Sequence, residues 1–272
     1  MKHILSLFLF SLLGISSSGA AVPDSINMRI TYDYYYHTLY GSNEAKDYHC
    51  LDIVNGQSRY FSLKNERQDQ ISDSLRAIGV RDHDLIRMEK KRQGVGGGCT
   101  SFTVFKNFPK PDQMVYTWET MKNFRVDGPM PEQDWELLSG DTVILGYDCQ
   151  KARTTFRGVG WTAWYTMDIP VSDGPWKLRG LPGLILFAQD DEKLFRFECV
   201  GMESGRAAPV ALSGKDYNQC TLKYLLALMK LQSEDFTSFT GKMLNTTAIG
   251  YDKYGRREDN SKNRACMMEK VP

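Results

Sequence analysis

The sequence predicts an α+β domain built mainly on antiparallel sheet. Short runs of alternating apolar and polar residues recur along the chain, and one hairpin is spelled out around Asn55-Gly56. A single strong helical stripe stands late in the chain at Leu222, Leu225, Leu226 and Met229. Period-two alternation marks a strand with one buried face; spacing at i, i+3, i+4 and i+7 marks a helix. Composition agrees: 42% of residues are hydrophobic and 25% charged, enough apolar material for one substantial core.

Residues 26–36 place Met28, Ile30, Tyr32, Tyr34 and Tyr36 on one alternate set, a half-buried strand rich in aromatics. Residues 49–54 and 58–63 flank Asn55-Gly56, a dipeptide that accepts the positive φ angles of a type I′ turn. The period then changes. Ile71, Leu75 and Ile78, followed by Gly79, predict a helix and its stop, and a second short helix begins at Asp84 with Leu85, Ile86 and Met88. Gly94, Gly96, Gly97 and Gly98 break the chain. A nucleotide-binding cradle would end in Gly-Lys-Ser/Thr and open a helix; neither follows, so the run reads as a loop into a strand at 100–106.

Further strands are expected at 114–121, 142–149, 151–157, 161–171, 183–188 and 194–200. In the last of these Phe195, Phe197 and Cys199 oppose Arg196 and Glu198, the pattern of a sheet with one wet side. The helix at 222–231 is expected to lie on that sheet with Lys223 and Lys230 outward. Beyond Gly250 the chain is polar and is expected to fray as a tail, residues 251–272. Asn245-Thr246-Thr247 forms a sequon.

The start of the chain speaks to location. Met1-Lys2-His3 is a short basic lead, residues 4–15 are an apolar run, and small residues follow with Ser18 and Ala20 at the −3 and −1 places of a cleavage site. That is the order of a secretory signal peptide over residues 1–20, leaving a single domain over 21–250. The run is short for a bilayer that needs about 20 apolar residues. No later stretch predicts a span. Periplasmic or secreted location follows, and there Cys50, Cys99, Cys149, Cys199, Cys220 and Cys266 are disulfide candidates whose pairing the sequence leaves open. A net charge of +1 gives no basic surplus for nucleic acid.

The densest block runs over 158–186. Trp161, Tyr165 and Met167 share one face of a strand with Trp164 on the other, Gly174-Pro175 turns the chain, and Pro182-Gly183 suits a type II turn with positive φ at Gly183. Gly180-Leu181-Pro182-Gly183-Leu184-Ile185 spells the motif for which the GLPGLI family is named. Ala163-Trp164-Tyr165-Thr166, Gly174-Pro175-Trp176-Lys177 and Cys149-Gln150-Lys151-Ala152 follow its pattern as well. The chain thus resembles that family over residues 145–190. The resemblance implies an exported protein of the Gram-negative envelope without established activity. It also implies a curved antiparallel sheet similar to lipoprotein-carrier half barrels, with packing helices.

Two readings of the block stand side by side. In one, Trp161, Tyr165, Leu184 and Ile185 are core and the glycines are turns. In the other, Trp164, Tyr165, Trp176, Lys177 and Arg179 line a groove for an apolar, peptide, lipid or glycan ligand or a protein partner. No catalytic residue is assigned, and no cofactor or metal is expected. His37, His49 and His83 sit in no hydrolase or metal motif, and Asp82-His83-Asp84 reads as a turn or helix cap. An envelope hydrolase or metal-dependent enzyme would need His49, His83 or paired carboxylates to meet in a cleft. A docking module would need an exposed aromatic patch or sheet edge.

Overall fold

The computed structural model describes residues 26–251 and 253–270. The expected signal peptide lies outside the described residues. Strand β1 (Asn27–Tyr36) alternates as expected, with Ile30, Tyr32 and Tyr34 buried on one face. It pairs with β2 (Ala45–Val54), which turns into β3 (Gln57–Ser62) through Asn55 and Gly56, at φ 50° and 77°. Both central residues of that turn lie in the left-handed region, as a type I′ hairpin requires. Ser62 then caps α1 (Leu63–Ala77) by accepting the Asn65 amide hydrogen. Asp82 caps α2 (His83–Arg92) in the same way, so the Asp82-His83-Asp84 run is a helix start.

Strands β4 (Phe102–Lys106), β5 (Gln113–Glu119) and β6 (Asn123–Pro129) extend the meander to one edge. After the connector 130–135, β7 (Glu136–Ile144), β8 (Tyr147–Phe156), β9 (Val159–Thr166), β10 (Leu184–Asp190) and β11 (Phe195–Ser204) return from the other edge. A single strand expected at 142–149 is instead the turn between β7 and β8. Leu145 and Gly146 take positive φ there, and the alternation in the sequence runs through the turn unbroken. The strand expected at 161–171 stops at Thr166. The two-residue β12 (Asn218–Gln219) pairs parallel with β6; every other pairing is antiparallel. Two helices follow the sheet strands, α3 (Leu222–Glu234) and α4 (Phe236–Leu244). Asp235 ends the first and caps the second, which hides α4 from a periodicity reading.

The result is one open 12-stranded sheet in the order β12-β6-β5-β4-β3-β2-β1-β11-β10-β9-β8-β7. Its curvature follows from one connection. In a flat sheet β6 and β7 would stand about 48 Å apart, ten strand spacings. The connector 130–135 reaches about 25 Å when fully extended. The sheet must therefore curl until its two ends face each other across a concave side. It does not close into a barrel, since β7 remains an edge. The concave face carries the aromatic core: Tyr32, Tyr34, Tyr60, Phe102, Tyr116, Trp118, Trp161 and Phe197. No helix among the described residues is long and apolar enough to cross a membrane.

Candidate functional site

Two different coverings lie over the concave face. The first is the segment 167–183, which leaves β9 and returns as β10. Trp176, Lys177, Leu178 and Leu181 within it are at most 2% exposed. Backbone hydrogen bonds brace it, from Leu184 N to Ile169 O at 3.1 Å and from Ile185 N to Asp173 O at 3.0 Å. The connector 130–135 lies across it. Gln133 Nε2 donates to Lys177 O at 2.7 Å, and Trp135 Nε1 donates to Arg179 O at 2.7 Å.

Glycine makes this packing possible in two distinct ways. Gly180 has φ +98°, a conformation that L side chains rarely adopt. Gly183 corrects the sequence expectation: its φ is not in the left-handed region. A Cβ there would stand 1.9 Å from the Thr166 carbonyl oxygen. The motif needs glycine at that place because two backbones pass in contact. Trp176 itself takes φ +52°, a strained conformation for a bulky residue, held by its rings against Trp161 and Phe156.

The segment also buries charge. Lys106 on β4 pairs with Asp173 and donates to Gly174 O at 2.7 Å. Lys177 pairs with Glu269, which also accepts from Arg157 at 2.6 Å, and its ammonium lies 3.9 Å from the Tyr116 ring centroid. Burial pushes the Lys177 ammonium down to about 8 despite Glu269. Lys106 is lowered for the same reason, against Asp173.

The second covering is α3 together with the last residues of the chain. The tail was expected to fray; instead residues 264–270 form a strap. Leu39 and Ala265 form an antiparallel bridge, Cys266 N donates to Thr38 O at 3.1 Å, and Lys270 N donates to Arg157 O at 2.8 Å. Cys266, Met268 and Glu269 are buried. Its polar composition misleads because the buried anchors are single residues held by partners far away in sequence.

Between the strap, α3 and the sheet lies a cavity of about 210 Å³. Tyr34, Phe102, Tyr116, Trp118, Trp176 and Phe195 form its aromatic wall, and Met229, Met267 and Met268 its flexible side. A neighbouring pocket of about 430 Å³ lies on the other side of the strap, against Val159, Leu194 and Ala227, with Lys223 and Lys230 at its rim. Leu226, Met267 and Glu269 belong to both.

The groove expected from the sequence does not assemble. Trp176 and Lys177 are buried inside, Trp176 at the cavity wall. Tyr165 is buried, its hydroxyl donating to Gln150 at 2.8 Å. Trp164 lies on the opposite face beneath Lys151, whose ammonium is 5.7 Å from its ring. Arg179 contributes its backbone to the connector. Trp161, Tyr165, Leu184 and Ile185 are core.

No disulfide joins the six cysteines. Cys50, Cys149 and Cys199 sit on β2, β8 and β11, no two of which are neighbours in the sheet. Burial raises these thiols, Cys199 to about 12 and Cys99 and Cys266 to about 11. Cys99 and Cys266 both line the cavity.

His49 meets Asp47 and Thr100, which sequence spacing did not reveal. Its Nε2 is 2.5 Å from Thr100 Oγ1 and 3.4 Å from Asp47 Oδ2, while Asp47 accepts the Thr100 amide and hydroxyl. Both partners sit on the same ring nitrogen, so no relay runs through the imidazole. The ring is fully buried among Tyr34, Tyr60 and Phe102, and burial lowers its pKa. This is a structural knot that fixes Thr100 at the cavity wall. His83 is on α2, remote from it. Among the described residues no three His, Cys, Asp or Glu side chains gather as a metal site.

An open, curved α+β sheet with a covered concave side defines the class of protein. In sequence, the family model "Protein of unknown function (Porph_ging)" matches residues 153–187, the β8–β10 region that contains the first covering. No curated protein matches the chain. Two solved structures of PNGF-II, in the P21 and C2 space groups, are similar with TM-scores of 0.53 and 0.50 at 15% and 14% identity. Each match covers 77% of this chain and 34% of that one, so the chain spans about a third of PNGF-II. The Pseudomonas aeruginosa MucA/MucB complex aligns at a TM-score of 0.32 and 12% identity, over 68% of this chain and 54% of that chain. The likeness to PNGF-II concerns the fold alone.

Proposed function

We propose that the chain is an exported, non-enzymatic binding protein of the bacterial envelope, of the GLPGLI kind, that holds an apolar ligand under α3. The observation that carries this reading is the aromatic- and methionine-walled cavity of about 210 Å³, backed by the larger pocket across the strap. Concave apolar cavities with a few polar groups at the rim are the usual form of small-ligand sites. Methionine walls adapt to irregular apolar shapes. The basic-apolar-small order of residues 1–21 supports export, and the match over 153–187 to a family model of unknown function fits the GLPGLI resemblance.

Native mass spectrometry and solvent extraction of protein purified from an envelope fraction test the reading. A co-purifying apolar species is expected, together with saturable uptake of a fluorescent fatty-acid analogue that Met229→Trp blocks. An empty protein that takes up no analogue would overturn it.

Protein docking along β7 is a second reading. This edge strand exposes Leu137 and Val143, with Leu145 in the turn beyond, an unpaired edge able to accept another strand. Crosslinking from Val143→Cys in cells would capture a partner if it operates.

A further inference from the structure

The glycine run that fails as a nucleotide-binding motif encloses a different kind of site. We propose that the cavity between α1, α2 and the loop 94–98 binds a phosphate monoester group. It measures about 360 Å³, and its wall includes Arg76, His83, Arg87 and Lys90 facing Gly96 and Gly97. Ser72 and Gln68 complete its polar lining, and no carboxylate belongs to the wall. An adjoining pocket shares Arg87, Gly96 and Gly97 and adds Lys91. Two guanidiniums and an ammonium around a carboxylate-free cavity suit a compact dianion, since guanidinium forks match phosphate oxygens in pairs.

The loop is built rather than slack. Gln68 Nε2 donates to Val95 O at 2.6 Å and to Gly97 O at 2.9 Å, and Lys64 Nζ donates to Gly98 O at 2.9 Å. A Cβ on Gly96 would come within 2.9 Å of Lys91 Cα, so only glycine lets the loop lie this close to α2. The cations are held only loosely elsewhere. Arg76 is 3.7 Å from Asp73 and Arg87 is 3.0 Å from Asp84, both exposed i,i+3 pairs. Such solvent-exposed pairs are weak and exchange readily for a better acceptor. His83 and Lys90 form no ion pair among the described residues. The volume exceeds a bare phosphate and leaves space for the group that carries it.

Isothermal titration of the purified full chain at low salt tests the site with inorganic phosphate, glucose 6-phosphate and glucose. Binding of glucose 6-phosphate, weaker binding of phosphate and none of glucose are expected, with affinity falling as salt rises. Arg87→Gln and Arg76→Gln should each weaken binding about tenfold, the worth of one charge-assisted hydrogen bond. Lys122→Gln, on a turn elsewhere, should change nothing. Vesicles with and without phosphatidic acid distinguish the source: binding them as well as the sugar phosphate points to a lipid headgroup, the sugar phosphate alone to a soluble ester. No heat and no vesicle binding, or equal affinity in the Arg76→Gln/Arg87→Gln double variant with an unchanged melting temperature, overturns the proposal.

Discussion

The concave face is closed by two coverings made on opposite principles. The segment 167–183 is irregular backbone, yet it packs closely onto its side of the sheet, with Trp176, Lys177 and Leu178 fully buried. The helix α3 is regular and amphipathic, yet it leaves open space beneath itself. A helix presents a fixed apolar stripe with gaps between its ridges. A loop can follow the sheet more closely, but every backbone group and buried charge on it then needs a partner. That is why the segment carries glycines at points of contact, with Lys177 locked to Glu269 and Asp173 to Lys106, whereas α3 needs only leucines and a cap. Stability should therefore concentrate in the first covering and ligand capacity in the second.

The largest test of this contrast is the ion pair that joins them. Lys177 belongs to the segment and Glu269 to the strap, and both are buried. Lys177→Met leaves Glu269 without its main partner and should cost about 3–5 kcal/mol in chemical denaturation. The double variant Lys177→Met/Glu269→Leu should recover much of that loss. A loss below about 1 kcal/mol for the single variant would mean that the strap does not depend on the segment.

Gly183 comes next. Gly183→Ala forces a Cβ to within 1.9 Å of Thr166 O and should cost about 3 kcal/mol, a severe overpacking. Gly180→Ala meets no contact closer than 3.6 Å and should cost about 1–2 kcal/mol, from its φ of +98° alone. Melting temperatures of the two variants separate close approach from backbone strain. Equal shifts would refute the distinction.

The two coverings were unequally legible in the sequence. Strands β1 to β3 and the helix α3 could be read because their periodicity is local. The block over 158–186 could be recognised, but its destination could not. Alternation assigns Trp161 and Trp164 to opposite faces of β9, and the structure agrees; that parity ends with the strand at Thr166. Whether Trp176 points into the core or to solvent then depends on which side of the sheet the chain crosses. Glu269 is harder still, since its partner Lys177 lies 92 residues away and nothing nearby marks a buried acid. The cavity follows from the sheet's curvature, which needs the strand order and the short connector together.

A smaller effect tests how the open covering is held at its rim. Asp47 fixes Thr100 at the cavity wall. Burial alone would raise its carboxyl, but the hydrogen bonds from His49 and Thr100 prevail and hold it at about 2. A carboxyl held below its unfolded value of 3.8 adds stability above that pH and loses it as pH falls from about 4 towards 2. The contribution is about 2 kcal/mol. Asp47→Asn should lower stability at pH 7 by that order and flatten this acid limb, as denaturation at several pH values would show. An acid limb as steep as that of the parent protein would place the proton uptake elsewhere.

The smallest change in stability should accompany the largest change in binding. Met229 lies on α3 at the cavity wall and is only partly buried. Met229→Trp puts a larger ring into space the helix leaves open, so it should shift stability by about 1 kcal/mol or less while blocking the fatty-acid analogue. The outcome separates the coverings by function. If Met229→Trp destabilises as strongly as Gly183→Ala, α3 is packed as tightly as the segment and the cavity has no capacity to spare. If stability holds and uptake is lost, the chain spends its tight packing on one side of the sheet and keeps the other free for a ligand.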